Sequence, residues 1–328
     1  MIYFLTESGR TTGLGHLYRS INLSHTLNKQ NKIKFLLVDK NIKDNNTSIK
    51  ILKKNKINYQ LLNKKKLLLF LKIKSKNTIV FDLQKTSLKY LDLAKKNFLK
   101  SIIIDDENNL KYYDADIIIN QNSYAKNLKY KFNNKKIIKL FGANYTILPK
   151  ESRYKISNKK LNLITKNIFL LFGGTDIKNF YWKISKKLTN YKVHINISNK
   201  IISNKVKKLK IYKHIKFHNL KNLNKIVKKE KIDLIISCCG SGLYQLFLLK
   251  VPVIGFMCAN NQINAYKYYG YKGGIISTNL KRLNNTIKKI NLKKRKSCIK
   301  QAQKLVNIKG NLNISKIINR ELNEYKKN

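Results

Sequence analysis

Ile2-Tyr3-Phe4-Leu5, followed after a short polar stretch by Gly13-Leu14-Gly15-His16-Leu17, is the part of this chain on which the fold turns. Four consecutive apolar residues suit a strand buried on both faces. Leu17, Ile21, Ser24 and Leu27 then recur at helical spacing, so the glycines mark the passage from a strand into a helix. Glycine lets backbone approach a ligand closely, and the free N–H groups and positive dipole end of a helix attract phosphate. An imidazole on that shelf can move protons near neutral pH, which makes His16 the candidate catalytic residue. Gly13 and Gly15 are candidate ligand contacts, and Arg19, on the same helix face as His16, is placed to meet a phosphate. The competing reading is a tight turn followed by a helix-capping His16, because Gly-x-Gly-His lacks the third glycine of the dinucleotide fingerprint. His25 is turned about half a revolution away and reads as surface or packing.

The pattern repeats outward from that stretch. Ile2–Leu5, Ile33–Val38, Thr78–Phe81, Ser101–Ile104 and Ile117–Ile119 are short continuous apolar runs separated by lysine-rich amphipathic segments. After a polar stretch near Arg153–Lys166, a second series follows: Ile168–Phe172, Val193–Ile197, Ile215–Phe217, Leu234–Ser237 and Val253–Phe256. With 328 residues, the chain suits two domains of roughly 150 residues. The expected architecture is α/β: two doubly wound, Rossmann-like parallel sheets facing across a cleft, residues 1–158 carrying His16 and residues 159–328 binding the nucleotide.

Polar residues cluster where the runs end. Asp82 follows the third run and Asp105-Asp106-Glu107 the fourth; acids there can orient a substrate or a catalytic histidine, or cap a helix. Gly173-Gly174-Thr175-Asp176 follows Ile168–Phe172, with backbone N–H groups suited to a phosphate and Thr175 or Asp176 as helix cap. Gly240-Ser241-Gly242 repeats the arrangement after Leu234–Ser237. Asn260-Asn261-Gln262 offers amides that both donate and accept, as sugar hydroxyls require. Tyr266, Tyr268, Tyr269 and Tyr271 read as covering apolar surface on the next helix.

The net charge of +54 would suit nucleic acid or an anionic membrane, but the lysines are spread through the chain with no single stripe or tail. A basic binding protein is therefore the third reading, with specific nucleic-acid binding not expected and peripheral contact with an anionic membrane left open. Cys238, Cys239, Cys258 and Cys298 form no Cys-x-x-Cys pair and read as buried thiols of a reducing, cytoplasmic setting. Five histidines are scattered without metal spacing, so no metal and no cofactor are expected. No stretch approaches the roughly 20 apolar residues of a membrane span.

Taken in order, Gly13-Leu14-Gly15-His16 with Arg19, Asp105-Asp106-Glu107, Asn120-Gln121-Asn122-Ser123-Tyr124-Ala125, Gly142 with Tyr145 and Leu148, Gly173-Gly174-Thr175-Asp176-Ile177-Lys178-Asn179, and Asn261-Gln262 resemble the MurG-like, GT-B-fold nucleotide-sugar enzymes. Within them the chain is most similar to the UDP-sugar hydrolases of pseudaminic acid biosynthesis. The resemblance implies hydrolysis of UDP-2,4-diacetamido-2,4,6-trideoxy-β-L-altropyranose to UDP and free sugar without a metal. It implies His16 as base or as helper of diphosphate departure. It also implies substrate contacts from Gly13, Gly15, Arg19, Asp105, Asp106, Gly173, Gly174, Thr175, Asp176, Ser241, Gly242, Gln245, Asn261 and Gln262. Gln245 stands where related enzymes carry a Glu on the ribose hydroxyls, and Leu5, Glu7 and Gln84 also depart from the pattern. A glycosyltransferase with a UDP-sugar donor is the runner-up, since water is only one nucleophile.

Overall fold

A computed structural model describes the chain except residues 10–12, 39–41, 134, 154–160, 174, 175, 177, 198, 199, 220, 221 and 328. It divides into two compact units, Met1–Pro149 with Asn307–Asn328, and Lys150–Val306.

The first unit alternates strands and helices: β1 (Ile2–Thr6), α1 (Gly15–Leu27), β2 (Ile33–Val38), α2 (Ile42–Lys54), β3 (Tyr59–Leu62), α3 (Lys64–Lys72), β4 (Ser75–Asp82), α4 (Leu88–Asn97), β5 (Phe98–Ile104), β6 (Ile117–Asn120) and β7 (Ile138–Phe141). All seven strands are parallel, in the order β3-β2-β1-β4-β5-β6-β7. The unbroken apolar runs follow from two covered faces. Ile2 and Phe4 pack on one face with Leu17 and Ile21 of α1, while Leu5 packs on the other with Leu67, Leu71 and Leu91. Strands β3 and β7 were not expected. Both are four-residue strands at the sheet edges, and their mixed sequences, Tyr-Gln-Leu-Leu and Ile-Lys-Leu-Phe, lack a long apolar run.

The second unit holds β8 (Asn167–Leu171), α5 (Phe180–Ser185), β9 (Lys192–Asn196), α6 (Lys200–Lys205), β10 (Ile215–His218), α7 (Leu223–Lys229), β11 (Leu234–Cys238), α8 (Leu243–Phe247), β12 (Val253–Phe256), α9 (Ile263–Tyr271), β13 (Ile276–Ser277), α10 (Leu283–Lys289) and α11 (Leu292–Gln303). Its six parallel strands run β10-β9-β8-β11-β12-β13. Both sheets therefore reverse their winding once, between β1 and β4 in the first unit and between β8 and β11 in the second. Ligands of doubly wound sheets bind at the carboxyl ends of strands flanking such a reversal.

The last helix, α12 (Gly310–Lys327), corrects the expected division into residues 1–158 and 159–328. That boundary falls within 154–160, outside the described residues, and the C-terminal segment belongs to the first unit. Ile314, Ile318 and Leu322 enter the core formed by Leu17, Ile21 and Ile147. The buried Asn311 accepts from Leu148 N at 2.8 Å and donates to Asn22 O at 2.9 Å, fixing the helix start against α1. Gly310 permits this approach, because a Cβ there would lie 2.1 Å from Thr146 O and 2.5 Å from Thr146 N. Gly310→Ala must shift backbone on one side, and a loss of about 1–3 kcal/mol in urea unfolding is expected. A variant as stable as the parent would refute this packing.

Among the described residues no helix is long and apolar enough to cross a membrane. Of the four tyrosines on α9, Tyr269 is buried and shares a 2.8 Å hydrogen bond with Tyr244, whereas Tyr271 is exposed.

Candidate active site

The winding reversal of the first sheet brings the ends of β1 and β4 level, since Thr6 pairs with Asp82. The chain leaves β1, turns through Gly13 at φ 74° and enters α1 at Gly15. Leu14 precedes the helix and, having no polar side chain, offers no cap to its first-turn N–H groups. His16 lies in this first turn, directly beside the last residue of β4.

His16 Nδ1 lies 2.7 Å from Asp82 Oδ1. Asp82 is fully buried, and three further donors satisfy it: Arg19 Nη2 at 2.6 Å, Arg19 Nε at 3.1 Å and Ser20 Oγ at 2.9 Å. Burial alone would raise the Asp82 pKa, but the charges of Arg19 and His16 and their hydrogen bonds outweigh it and hold the carboxyl well below the usual carboxylate range. An ionised Asp82 requires a proton on Nδ1 of His16, which leaves Nε2 as the basic nitrogen. Arg19 Nη2 also lies 3.2 Å from Nδ1, but Nδ1 cannot both donate to Asp82 and accept from Arg19. The shorter contact to the carboxylate decides the tautomer. The His16 side chain keeps 18% of its surface exposed, so a ligand can reach it.

Arg19 does not await a phosphate as the sequence suggested. Its other nitrogen, Nη1, grips Asp106 through both oxygens at 2.8 and 2.6 Å. Burial acts against the charged guanidinium, yet Asp106 and Asp82 outweigh it and raise the Arg19 pKa. With two carboxylates engaging it, Arg19 is an internal clamp joining α1 to the ends of β4 and β5. Asp106 accepts a further hydrogen bond from Asn122 Nδ2 at 3.2 Å. Asp105 points elsewhere, taking the hydroxyls of Tyr130 at 2.6 Å and Tyr113 at 3.1 Å and the N–H of Asn108 at 2.8 Å. Burial raises the Asp105 pKa despite these bonds, and the two tyrosines are raised in turn by burial and by Asp105. Glu7, buried at the exit of β1, accepts the Gln84 N–H at 2.5 Å and ties down the loop after β4.

In the second unit the reversal point gathers several expected residues. Gly173, at φ 72° just after β8, approaches Cys238 at the end of β11; a Cβ there would lie 4.0 Å from Cys238 Sγ. A Cβ on Gly240 would lie 3.4 Å from Gln262 Nε2, and Gln262 Oε1 accepts from Cys258 N at 3.0 Å, so the turns after β11 and β12 touch. Ser241 and Asn261 are exposed, Gly242 precedes α8, and Gln245 on α8 is half-buried. Gly174 and Thr175 lie outside the described residues. The Asp176 carboxylate accepts from Phe180 N at 2.8 Å and Tyr181 N at 3.1 Å, capping α5.

Ser20, Tyr113 and Tyr130 went unrecognised in the sequence, and Asn122 was noted only as part of a motif. They bind carboxylates 8 to 62 residues away, and no local pattern marks such partners.

No protein-family model matches the chain. An uncharacterized protein of Methanocaldococcus jannaschii is 27% identical over 305 residues, 85% of this chain and 60% of that protein, so the chain spans about three-fifths of its curated relative. Among solved structures, Acinetobacter baumannii MurG superposes with a TM-score of 0.62 at 11% identity, over 97% of this chain and 99% of MurG. The S. aureus MnaA–UDP co-structure gives 0.59 at 12% identity, covering 98% and 97%. The Neisseria meningitidis UDP-GlcNAc 2-epimerase bound to UDP-GlcNAc gives 0.52 at 12% identity, covering 99% and 100%. These likenesses establish the fold: two Rossmann-like parallel-sheet domains of the GT-B type.

Proposed function

We propose that the chain is a nucleotide-sugar enzyme that hydrolyses a UDP-linked diacetamido-trideoxy hexose, UDP-2,4-diacetamido-2,4,6-trideoxy-β-L-altropyranose in the implied pathway to pseudaminic acid. The observation that carries this reading is the His16–Asp82 pair at 2.7 Å, with the carboxylate held ionised and Nε2 as the basic nitrogen. A base so oriented takes a proton from water as the water oxygen bonds to the anomeric carbon. The bond from that carbon to the diphosphate oxygen breaks, and UDP leaves with the electron pair.

The segment that follows β8 from Gly173, with Gly174 and Thr175, and the turn at Ser241 and Gly242 carry UDP binding in this reading. Their N–H groups meet the charge that grows on the departing diphosphate. In comparable oxyanion sites one such donor contributes about 2.7–4 kcal/mol. Gln245, Asn261 and Gln262 supply hydrogen bonds to ribose and sugar hydroxyls, and the N–H groups at Gly13 and Gly15 complete the contacts beside His16. Asp106 acts through Arg19. The solved structures with UDP and UDP-GlcNAc support a nucleotide sugar as the ligand class of this fold.

Transfer to an acceptor is the second reading, and one feature favours it. A cavity of about 630 Å³ in the first unit is lined by Lys126, Lys129, Tyr130, Phe132, Lys139 and Phe141. It has room and charge for an anionic acceptor, and its Tyr130 bonds Asp105 beside Asp106. The test is incubation of the purified protein with the UDP-sugar in buffer alone, reading UDP and free sugar. Equal amounts of both are expected. UDP that appears only once an acceptor alcohol is added would replace hydrolysis by transfer. No turnover, together with no effect of UDP on the melting temperature, would reject both.

A further inference from the structure

Outside that site, the fold assembles a second cluster of ligating groups. His194 on β9, His218 at the end of β10 and Glu230, which closes α7, place Nδ1, Nε2 and a carboxylate oxygen within 4.8 Å of one another. His194 Nδ1 lies 2.9 Å from His218 Nε2 and 3.9 Å from Glu230 Oε2. Both imidazoles are buried, and the Glu230 side chain is 8% exposed. Sequence spacing gave no sign of this group, because its members are 24 and 12 residues apart and meet only through adjacent parallel strands and the helix that follows.

We propose that His194, His218 and Glu230 form a binding site for one divalent transition ion of the zinc class, tying together β9, β10 and α7 of the second unit. Donors at about 2.0–2.2 Å from a tetrahedral ion stand near 3.4 Å from one another. The separations of 2.9 and 3.9 Å bracket that value and all three donor atoms lie within 4.8 Å of one another, so shifts of about 0.5–1 Å complete the site. The outer contact is also in place. His194 Nε2 donates to Asn167 Oδ1 at 3.2 Å, which fixes the ring and turns the Nδ1 lone pair toward the other two donors. Without an ion, His218 Nε2–H donates to that lone pair; with one, His218 carries its proton on Nδ1. Two imidazoles and one carboxylate suit zinc or cobalt better than calcium or magnesium, which take oxygen donors. Lys216 Nζ, 2.9 Å from Glu230 Oε2, competes for the carboxylate.

Cobalt(II) is the probe, added to full-length protein freed of metal by chelation. One equivalent is expected to give a tetrahedral visible spectrum without thiolate charge transfer and to raise the melting temperature by roughly 5–10 °C at about 100 times the dissociation constant. Asn167→Ala is expected to weaken binding by about 10–100-fold. Lys216→Met, a change at a half-exposed position, should tighten it, whereas a hydrogen-bond cluster without metal would only lose an ion pair. Cys238→Ser should leave the spectrum unchanged. Absence of stoichiometric binding, a thiolate band that disappears in Cys238→Ser, or binding indifferent to both Asn167→Ala and Lys216→Met would overturn the site.

Discussion

His16→Ala is expected to lower UDP release by about 10²–10⁴-fold, the range over which a positioned base contributes, while the melting temperature and the affinity for UDP stay at the parent values. The separation follows from where His16 sits. Its ring is partly exposed and its bond to Asp82 is one of four that the carboxylate receives, so Arg19 and Ser20 still satisfy Asp82 when the imidazole is gone. The glycine turns proposed to hold UDP belong to the other unit. The loss should therefore appear in kcat with KM little changed, the mark of an interaction made in the transition state. His16→Gln should be equally impaired, because an amide can mimic the hydrogen bond but takes up no proton. If His16→Ala hydrolyses at the parent rate, the acid–base role falls. If it loses its circular dichroism as well as its activity, His16 is a structural residue.

How far the sequence revealed this depends on whether the information was local. The apolar runs announced ten strands and a parallel architecture because a strand covered on both faces needs no alternation; Ile2, Phe4 and Leu5 point to opposite cores and are all apolar. The placement of His16 at the start of α1 was legible because strand, glycines and helix are contiguous. Asp82 was read as an acid able to orient a histidine, and that is its position in the structure, although its 66-residue separation from His16 gave no sign of which histidine. Arg19 was read by its charge alone; the two acids that engage it come from β4 and from the loop after β5, and only the sheet order brings those ends together. Asp176 shows the opposite case, a local helix cap written in the sequence and realised as one. The C-terminal helix was misassigned because proximity in sequence is no guide to packing: its partners on α1 lie almost 300 residues earlier.

Removing Arg19 should have the largest effect on stability. Arg19→Met keeps much of the side-chain length but leaves Asp82, fully buried, with only His16 and Ser20. Breaking one side of a buried ion pair typically costs about 3–5 kcal/mol, and a loss of that size is expected in urea unfolding followed by far-UV circular dichroism. The sole tryptophan, Trp182, lies in the second unit, so its fluorescence does not report on this site directly. The pH dependence separates charge from packing. In the parent the Asp82 pKa is depressed, so its contribution is complete above the unfolded carboxylate value of about 3.9 and is lost as pH falls below it toward the folded value. In Arg19→Met the desolvation that Arg19 offset dominates and Asp82 titrates at a higher pH. Protonation then relieves a buried charge, and the stability gap to the parent should narrow as pH falls from 7 toward 4. Asp82→Asn placed on Arg19→Met should recover part of the loss at pH 7, since a neutral amide removes the stranded charge. A gap that is constant with pH, or a double variant less stable than Arg19→Met, would show that Arg19 serves by filling space and not by holding Asp82 ionised.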